Sequence, residues 1–253
     1  MLTVVRRAVV LTGLVSASVL AQATSDVRYR VTSTSVLSLD RAPQSALVDT
    51  VVTTAVLMIA RSGAPDSMVT LSLDSLHVVS TGMIRRPLDA FSKGVSVVAP
   101  LVSGRPRYTG DSETACSVER PLAGLLPELM PLLPMPLRAE QQWSDTVTVT
   151  TCRAGLPVTT VTIANYRTLT GMDSGSVLLE RRAVIRANGV ATIRAQTVAL
   201  TGSGTSESLS VVLLATRRIQ SWRGTQMLEL SLTNGQQTRR MVQQLVDSVV
   251  SVP

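Results

Sequence analysis

Periodicity predicts a mainly all-β chain: a curved antiparallel sheet or half-barrel with a short, proline-broken helical insert. Three observations lead there. Apolar residues make up 45% of the chain and are mostly Val, Leu and Ala. Thr and Ser fill the gaps, and Val and Thr are β-branched residues that suit a pleated, half-buried surface. Apolar and polar residues alternate over long runs. In Met227 to Thr233, Leu228, Leu230 and Leu232 point one way and their neighbours the other, the pattern of a sheet wet on one side. The clearest helical leucine stripe lies between residues 122 and 133, and prolines interrupt it.

The chain opens on a targeting pattern. Arg6 and Arg7 precede an apolar run from Ala8 to Leu20, which ends in Ala21-Gln22-Ala23. A basic start, a short apolar stretch and a small-x-small site define a secretory signal peptide, residues 1–23, cut after Ala23. The run is too short to cross a bilayer comfortably. No cysteine follows it, so a lipid anchor is not expected. The mature protein is expected in the periplasm or secreted, with no membrane span after cleavage. Residues 24–253 are then read as a single antiparallel β domain, long enough to bury a core.

The elements follow in order. Val27 to Thr32 alternates and reads as a strand. Ala46 to Arg61 is a second, longer extended run, ended by the turn residues Ser62 to Asp66. Met68 to Val79 is a third strand. Its apolar face switches near Asp74-Ser75, from Val69, Leu71 and Leu73 to Leu76 and Val78, which predicts a bulge or twist. Pro87 to Gly94 has the punctuation of a short helix. Residues 103–112 are turn-rich. The insert, at about 119–135, carries the stripe Leu122, Leu125, Leu126, Leu129, Met130 and Leu133. Pro121 suits its first turn, whereas Pro127 predicts a kink or a second start.

From Trp143 onward the pattern is a meander of strands at 144–152, 157–169, 176–187, 190–201, 207–218, 222–233 and 237–250. Asn188-Gly189 and Asn234-Gly235 are expected as tight hairpin turns, where positive φ favours Gly. Asp173-Ser174-Gly175 and Gly202-Ser203-Gly204 are expected as two further turns. Residue-level repeats are not evident.

Charge and cysteines narrow the function classes. The formal charge of +7 falls to +5 when Arg6 and Arg7 leave with the leader, and Lys93 is the single lysine beside 23 arginines. The arginines are scattered, and aromatics for base stacking are few, so no nucleic-acid partner is expected. Cys116 and Cys152 fall in the exported part, where an even count favours a disulfide. Closing about 36 residues, that bridge is worth on the order of 3–4 kcal/mol.

No catalytic, metal or cofactor site is expected. A Ser-His-Asp triad would have to use His77, which sits in a strand pattern without an adjacent carboxylate and reads as a surface or rim residue. Gly110-Asp111-Ser112 matches three residues of a secreted ester-hydrolase block, but no histidine follows Ser112. Lys93 beside Ser92 lies at an expected helix end. Metal ligands are too sparse.

Two non-enzymatic readings remain for this exported envelope protein. In the first, the curled sheet binds an apolar or lipid-like ligand against Leu122, Leu126, Leu129 and Met130. The plainer role for that stripe is to plug the sheet and complete its core. In the second, the chain is a structural or interaction module that offers a sheet edge or face to an envelope protein partner. An outer-membrane barrel is a weaker fit, because aromatic girdles are missing.

The stretch from Cys116 to Arg167 resembles a known class. Leu125-Leu126-Pro127 and Leu132-Leu133-Pro134-Met135-Pro136 precede Gln142-Trp143-Ser144-Asp145-Thr146, then Cys152, Pro157-Val158-Thr159-Thr160 and Tyr166-Arg167. This resembles uncharacterised exported β-rich proteins of high-GC bacteria, grouped as domains of unknown function. In outline the chain is also similar to periplasmic lipoprotein-carrier half-barrels, in which a curved sheet wraps helices and binds acyl chains. Both resemblances imply that Trp143 packs the sheet onto the helix, and neither implies catalytic residues.

Overall fold

The computed structural model describes residues 26–39, 47–62, 68–80, 95–102, 105–107, 120–134, 136–153, 156–169, 175–193, 196–235 and 237–252. The leader, Cys116 and the helix expected at 87–94 lie outside these residues. The described strands are β1 (Val27–Leu39), β2 (Leu47–Ser62), β3 (Met68–Ser80), β4 (Ser96–Val102) and the two-residue β5 (Arg105–Pro106). After the helix α1 (Arg120–Leu129) come β6 (Gln142–Arg153), β7 (Leu156–Leu169), β8 (Ser176–Ile193), β9 (Gln196–Leu213), β10 (Arg218–Asn234) and β11 (Gln237–Val252).

All ladders are antiparallel, in the order β5-β4-β3-β2-β1-β11-β10-β9-β8-β7-β6. The first and last described strands therefore meet in the middle, and β5 and β6 are the edges among the described residues. Among the described residues the sheet does not close on itself, yet it is strongly curled. With strands about 4.8 Å apart, a flat sheet would hold β4 and β6 roughly 43 Å from each other. A ten-residue helix is only about 15 Å long. Nevertheless α1 packs against both β6 and the β3–β4–β5 edge. The result is a half-barrel with the helix inserted between its two margins.

Burial follows the expected alternation. Inward residues form two apolar clusters. The larger joins Tyr29, Leu57, Leu71, Leu179, Val212 and Trp222 to the helix residues Leu122, Leu126, Leu129 and Met130. The smaller sits toward the opposite strand ends and contains Leu156, Val158, Ile185, Leu200, Leu228 and Leu230. The face switch in β3 is a bulge: Leu57 pairs with Leu73 and Val56 with Ser75, so Asp74 is the extra residue. Its carboxylate lies 3.6 Å from Arg28.

Several expected boundaries are corrected. Asn188-Gly189 is not a turn; both residues lie inside β8, where Gly189 pairs with Leu200 of β9. A Cβ on Gly189 would stand 2.5 Å from the Pro157 carbonyl oxygen and 2.8 Å from a Val158 methyl, so glycine is needed there for close strand approach. Gly202-Ser203-Gly204 is likewise internal to β9. Leu230 and Leu228 of β10 lie over the two glycines, which leave room for them. The seven strands expected after Trp143 are therefore six longer ones. Asn234-Gly235 does close a hairpin, with Gly235 at φ +59°. The short strand β4 was not anticipated. Pro100 hides its alternation, although Val97 and Ala99 are fully inward.

The helix runs unbroken through Pro127 and stops at Leu129. Proline removes one backbone bond near the helix end, and Met130 N still donates to Leu126 O at 2.9 Å. The Pro-rich segment that follows is held from two sides. The Trp143 indole N–H donates to Leu132 O at 2.8 Å, and Arg217 donates to the carbonyls of Leu133 and Pro134. Trp143 also stacks on its register partner Tyr166, with centroids 5.2 Å apart.

Candidate functional site

Alternation around a curl places one side of every strand in a shared interior. Between the two apolar clusters this interior is not filled. A half-open cavity of about 570 Å³ lies there, bounded by α1, by β6 to β11 and by Leu37 of β1. That volume is within the roughly 300–1,000 Å³ of small-molecule sites. Its apolar wall includes Leu37, Leu125, Val147, Val149, Leu200, Leu230, Met241 and Leu245.

A polar band crosses this wall. Arg181 points inward from β8 with only 8% of its side chain exposed. One of its terminal nitrogens donates to Glu128 of α1 at 2.9 Å, and the other to Ser206 of β9 at 3.0 Å. Ser208, the register partner of Arg181, also lines the cavity. Asp247 contributes from β11, opposite Ser33 and Gly224. Gly224 belongs in this band for a packing reason: a Cβ there would crowd Trp222 and Ser208 at 3.0 and 3.1 Å.

Electrostatics follow from geometry. Burial pushes the Glu128 carboxyl above the usual carboxylate range; Arg181 opposes that rise and Asp247 adds to it. Glu128 keeps 28% exposure, but it lines the cavity, so low-dielectric surroundings still act on it. Burial also raises Asp247, against a hydrogen bond from Ser33. The Tyr166 hydroxyl is raised by burial too, with the Arg181 guanidinium pulling it back.

Two buried groups in the band have no hydrogen-bond partner: Arg181 Nε and Ser208 Oγ. Thr160 Oγ1, on another part of the lining, is a third. Buried polar groups are ordinarily satisfied, so each such atom calls for a physical explanation.

The residues singled out from sequence separate into two sets. Leu122, Leu126, Leu129 and Met130 come together, but on the face of α1 that enters the larger core. The cavity is walled instead by the neighbouring face, Gly124, Leu125 and Glu128. Leu129 and Met130 also border a crevice near Tyr29 of about 10 Å³, room for one water at most. Cys152 lines the main cavity at the end of β6, and its expected partner Cys116 lies outside the described residues. His77 is exposed, on the outer side of β3. Sequence reasoning missed Arg181, Glu128, Ser208 and Asp247. A signal for Arg181 existed, since the inward phase of Val177, Leu179, Ala183 and Ile185 passes through it.

Among the described residues no group of three His, Cys, Asp or Glu side chains is placed to hold a metal ion, and no helix is long and apolar enough to cross a membrane. No family model matches the chain. No curated protein matches it either. Among solved structures it is similar to Pseudomonas aeruginosa OccK2 (OpdF), at 7% identity over 90% of this chain and 98% of that one, with a TM-score of 0.27. It is also similar to Pseudomonas aeruginosa OpdQ, at 6% identity over 90% and 99%, with a TM-score of 0.26. Scores this low carry no argument about fold or function.

Proposed function

We propose that the protein is a non-enzymatic, exported envelope protein that binds an apolar or lipid-like ligand inside its curled sheet. One observation carries the reading: the 570 Å³ cavity between the helix and the inner face of the sheet, where Leu, Val and Met side chains form apolar wall beside a polar band. A half-open cavity of that size between two packed clusters is costly in a protein that needs only a core, because it leaves its apolar wall in water. An occupant with an apolar body offsets that cost. In this reading Leu125 and the β6 and β11 side chains hold the ligand, while Leu122, Leu126, Leu129 and Met130 anchor the helix that forms one wall.

Export rests on the leader pattern of residues 1–23, with the mature protein in the periplasm or outside the cell. The same compartment suits a Cys116–Cys152 bridge. Two facts support it: Cys152 has a partner, and no described cysteine is free. That bridge would tie the segment before α1 to the end of β6, beside the cavity.

The test is native mass spectrometry and lipidomics on protein purified from its own envelope fraction. A stoichiometric acylated species, released on denaturation, is the expected result. Protein of bare mass that also fails to take up an apolar fluorescent probe overturns the reading. A second reading, docking of an envelope protein, draws on β6, a twelve-residue strand with ladder partners on one side only among the described residues. Cross-linking from β6 in whole cells, with a discrete adduct, is its test.

A further inference from the structure

We infer that the Asp247 carboxylate anchors the head group in this cavity, and that it selects a single-chain amphiphile ending in a protonated primary amine. The inference rests on the ligand-binding reading above and specifies its chemistry. Asp247 lines the cavity and shares the inward phase of Val249, two residues further along β11. It belongs to one row across the sheet: Ser33, Asp247, Gly224, Ser208 and Arg181, from β1, β11, β10, β9 and β8. Ser33 donates a hydrogen bond to it, and Gly224 has no side chain to offer. Among the described residues no cation pairs with it. Arg181 stands three strands away, about 14 Å along the sheet. Its guanidinium is engaged by Glu128, Ser206 and Tyr166. Arg223, next to Gly224 in the chain, is exposed on the outer face.

Charge decides which head fits. The charged lining residues are Glu128, Arg181, Glu207 and Asp247. Glu128 and Arg181 neutralise each other at 2.9 Å, and Glu207 is exposed to water. The unmatched interior charge is therefore that of Asp247. A carboxylate beside apolar wall with no cation is costly to keep, and packing alone does not account for it. Asp247 also adds to the rise of the Glu128 carboxyl, so the two act on each other through the cavity. A cationic head relieves both carboxylates, whereas a carboxylate or phosphate head adds a further negative charge. A hydroxyl head leaves the Asp247 charge unmatched. A primary ammonium carries three donors, enough for the Asp247 oxygens and for the side-chain amide of Gln226, the next inward residue after Gly224 on β10.

The experiment uses protein purified from the envelope fraction and loaded with an uncharged, apolar fluorescent probe. A primary alkylamine, an alkanol and a fatty acid of equal chain length compete for it at neutral pH, where the amine is protonated. The alkylamine should displace the probe at about tenfold lower concentration than the alkanol, the scale of one charge-assisted hydrogen bond, and the fatty acid should compete worst. Asp247→Asn should abolish the advantage of the amine, and Asp247→Glu, which keeps the charge, should retain it. Circular dichroism and the unfolding midpoint establish that each variant is folded. An alkanol or fatty acid that competes as well as the amine against the unaltered protein overturns the inference, whatever the variants do. So does an amine preference that survives in a folded Asp247→Asn variant. Failure of every amphiphile to displace the probe overturns the ligand-binding reading itself.

Discussion

The guanidinium of Arg181, rising from β8, ends 2.9 Å from the carboxylate of Glu128 on α1 and ties the sheet interior to the helix that plugs it. Removing one partner of a buried pair is more damaging than replacing both. Arg181→Met should destabilise the fold by about 2–3 kcal/mol, reduced from the fully buried range because Glu128 keeps some access to the cavity. The double change Arg181→Met with Glu128→Leu should recover most of that loss. Urea unfolding of the two variants and the unaltered protein at neutral pH checks both statements. A double variant no better than the single one would show that the pair is not the source of the effect.

Acid strengthens this interior. Glu128 and Asp247 both have carboxyls raised by burial in the folded state. The folded protein therefore binds protons that the unfolded chain releases once pH climbs above about 4. The stability penalty is absent below that point and complete only above the folded pKa values. Asp247→Asn should accordingly stabilise the protein more at pH 7.5 than at pH 4, as read from unfolding midpoints at the two pH values. An effect of equal size at both would remove Asp247 from this account.

Trp143 holds the post-helical segment by two separable interactions, its indole N–H to Leu132 O and its stack on Tyr166. Trp143→Phe keeps a stacking ring and loses the hydrogen bond, which should lower stability by about 1 kcal/mol. Trp143→Ala loses both and opens space, for about 3 kcal/mol or more. Thermal unfolding orders the variants; a Phe variant as poor as Ala would assign the whole effect to the hydrogen bond.

Arg217 occupies a left-handed backbone position at φ 54° while its guanidinium holds the Leu133 and Pro134 carbonyls. Both Arg217→Ala and Arg217→Gly remove the clamp, but Gly also relieves the backbone. The glycine variant should be the more stable of the two by roughly 1 kcal/mol, measured by denaturant midpoint.

Glycines in the curl are not interchangeable. A Cβ on Gly204 would run into the Met227 carbonyl oxygen and the Leu228 side chain, and backbone cannot yield cheaply. Gly204→Ala should cost about 3 kcal/mol. At Gly224 the nearest atoms are 3.0 Å or more away and two of them belong to side chains. Gly224→Ala should cost about 1 kcal/mol or less. Matched midpoints for the two variants would contradict this ranking.

The sheet was legible because its signal is local. Alternation in 27–32, 68–79 and 227–233 needs no knowledge of partners, and the phase change at Asp74 announced the β3 bulge. The hairpins at 188–189 and 202–204 were misplaced for a non-local reason. A glycine that permits positive φ and a glycine that admits a neighbouring strand look identical in sequence. Only the presence of Val158 over Gly189, or Leu228 over Gly204, distinguishes them. The helix stripe was visible as well, yet the cavity adjoins its other face, because a ten-residue helix between two sheet margins has more than one buried side. Arg181 was hidden among scattered arginines. Its role depends on Glu128, 53 residues away along the chain.

The meeting of β1 and β11 at the centre of the sheet has a kinetic meaning. Arg28 lies opposite Val252 and Leu39 opposite Met241, so the middle ladder cannot begin until β11 has emerged. Until then the early meander carries an open hydrogen-bonding margin that invites pairing with other chains. Contacts spanning such a separation make for slow assembly. A nascent chain built this way gains from being kept extended by a chaperone until β11 is made. Truncation before β11 should yield aggregates rather than a smaller stable domain.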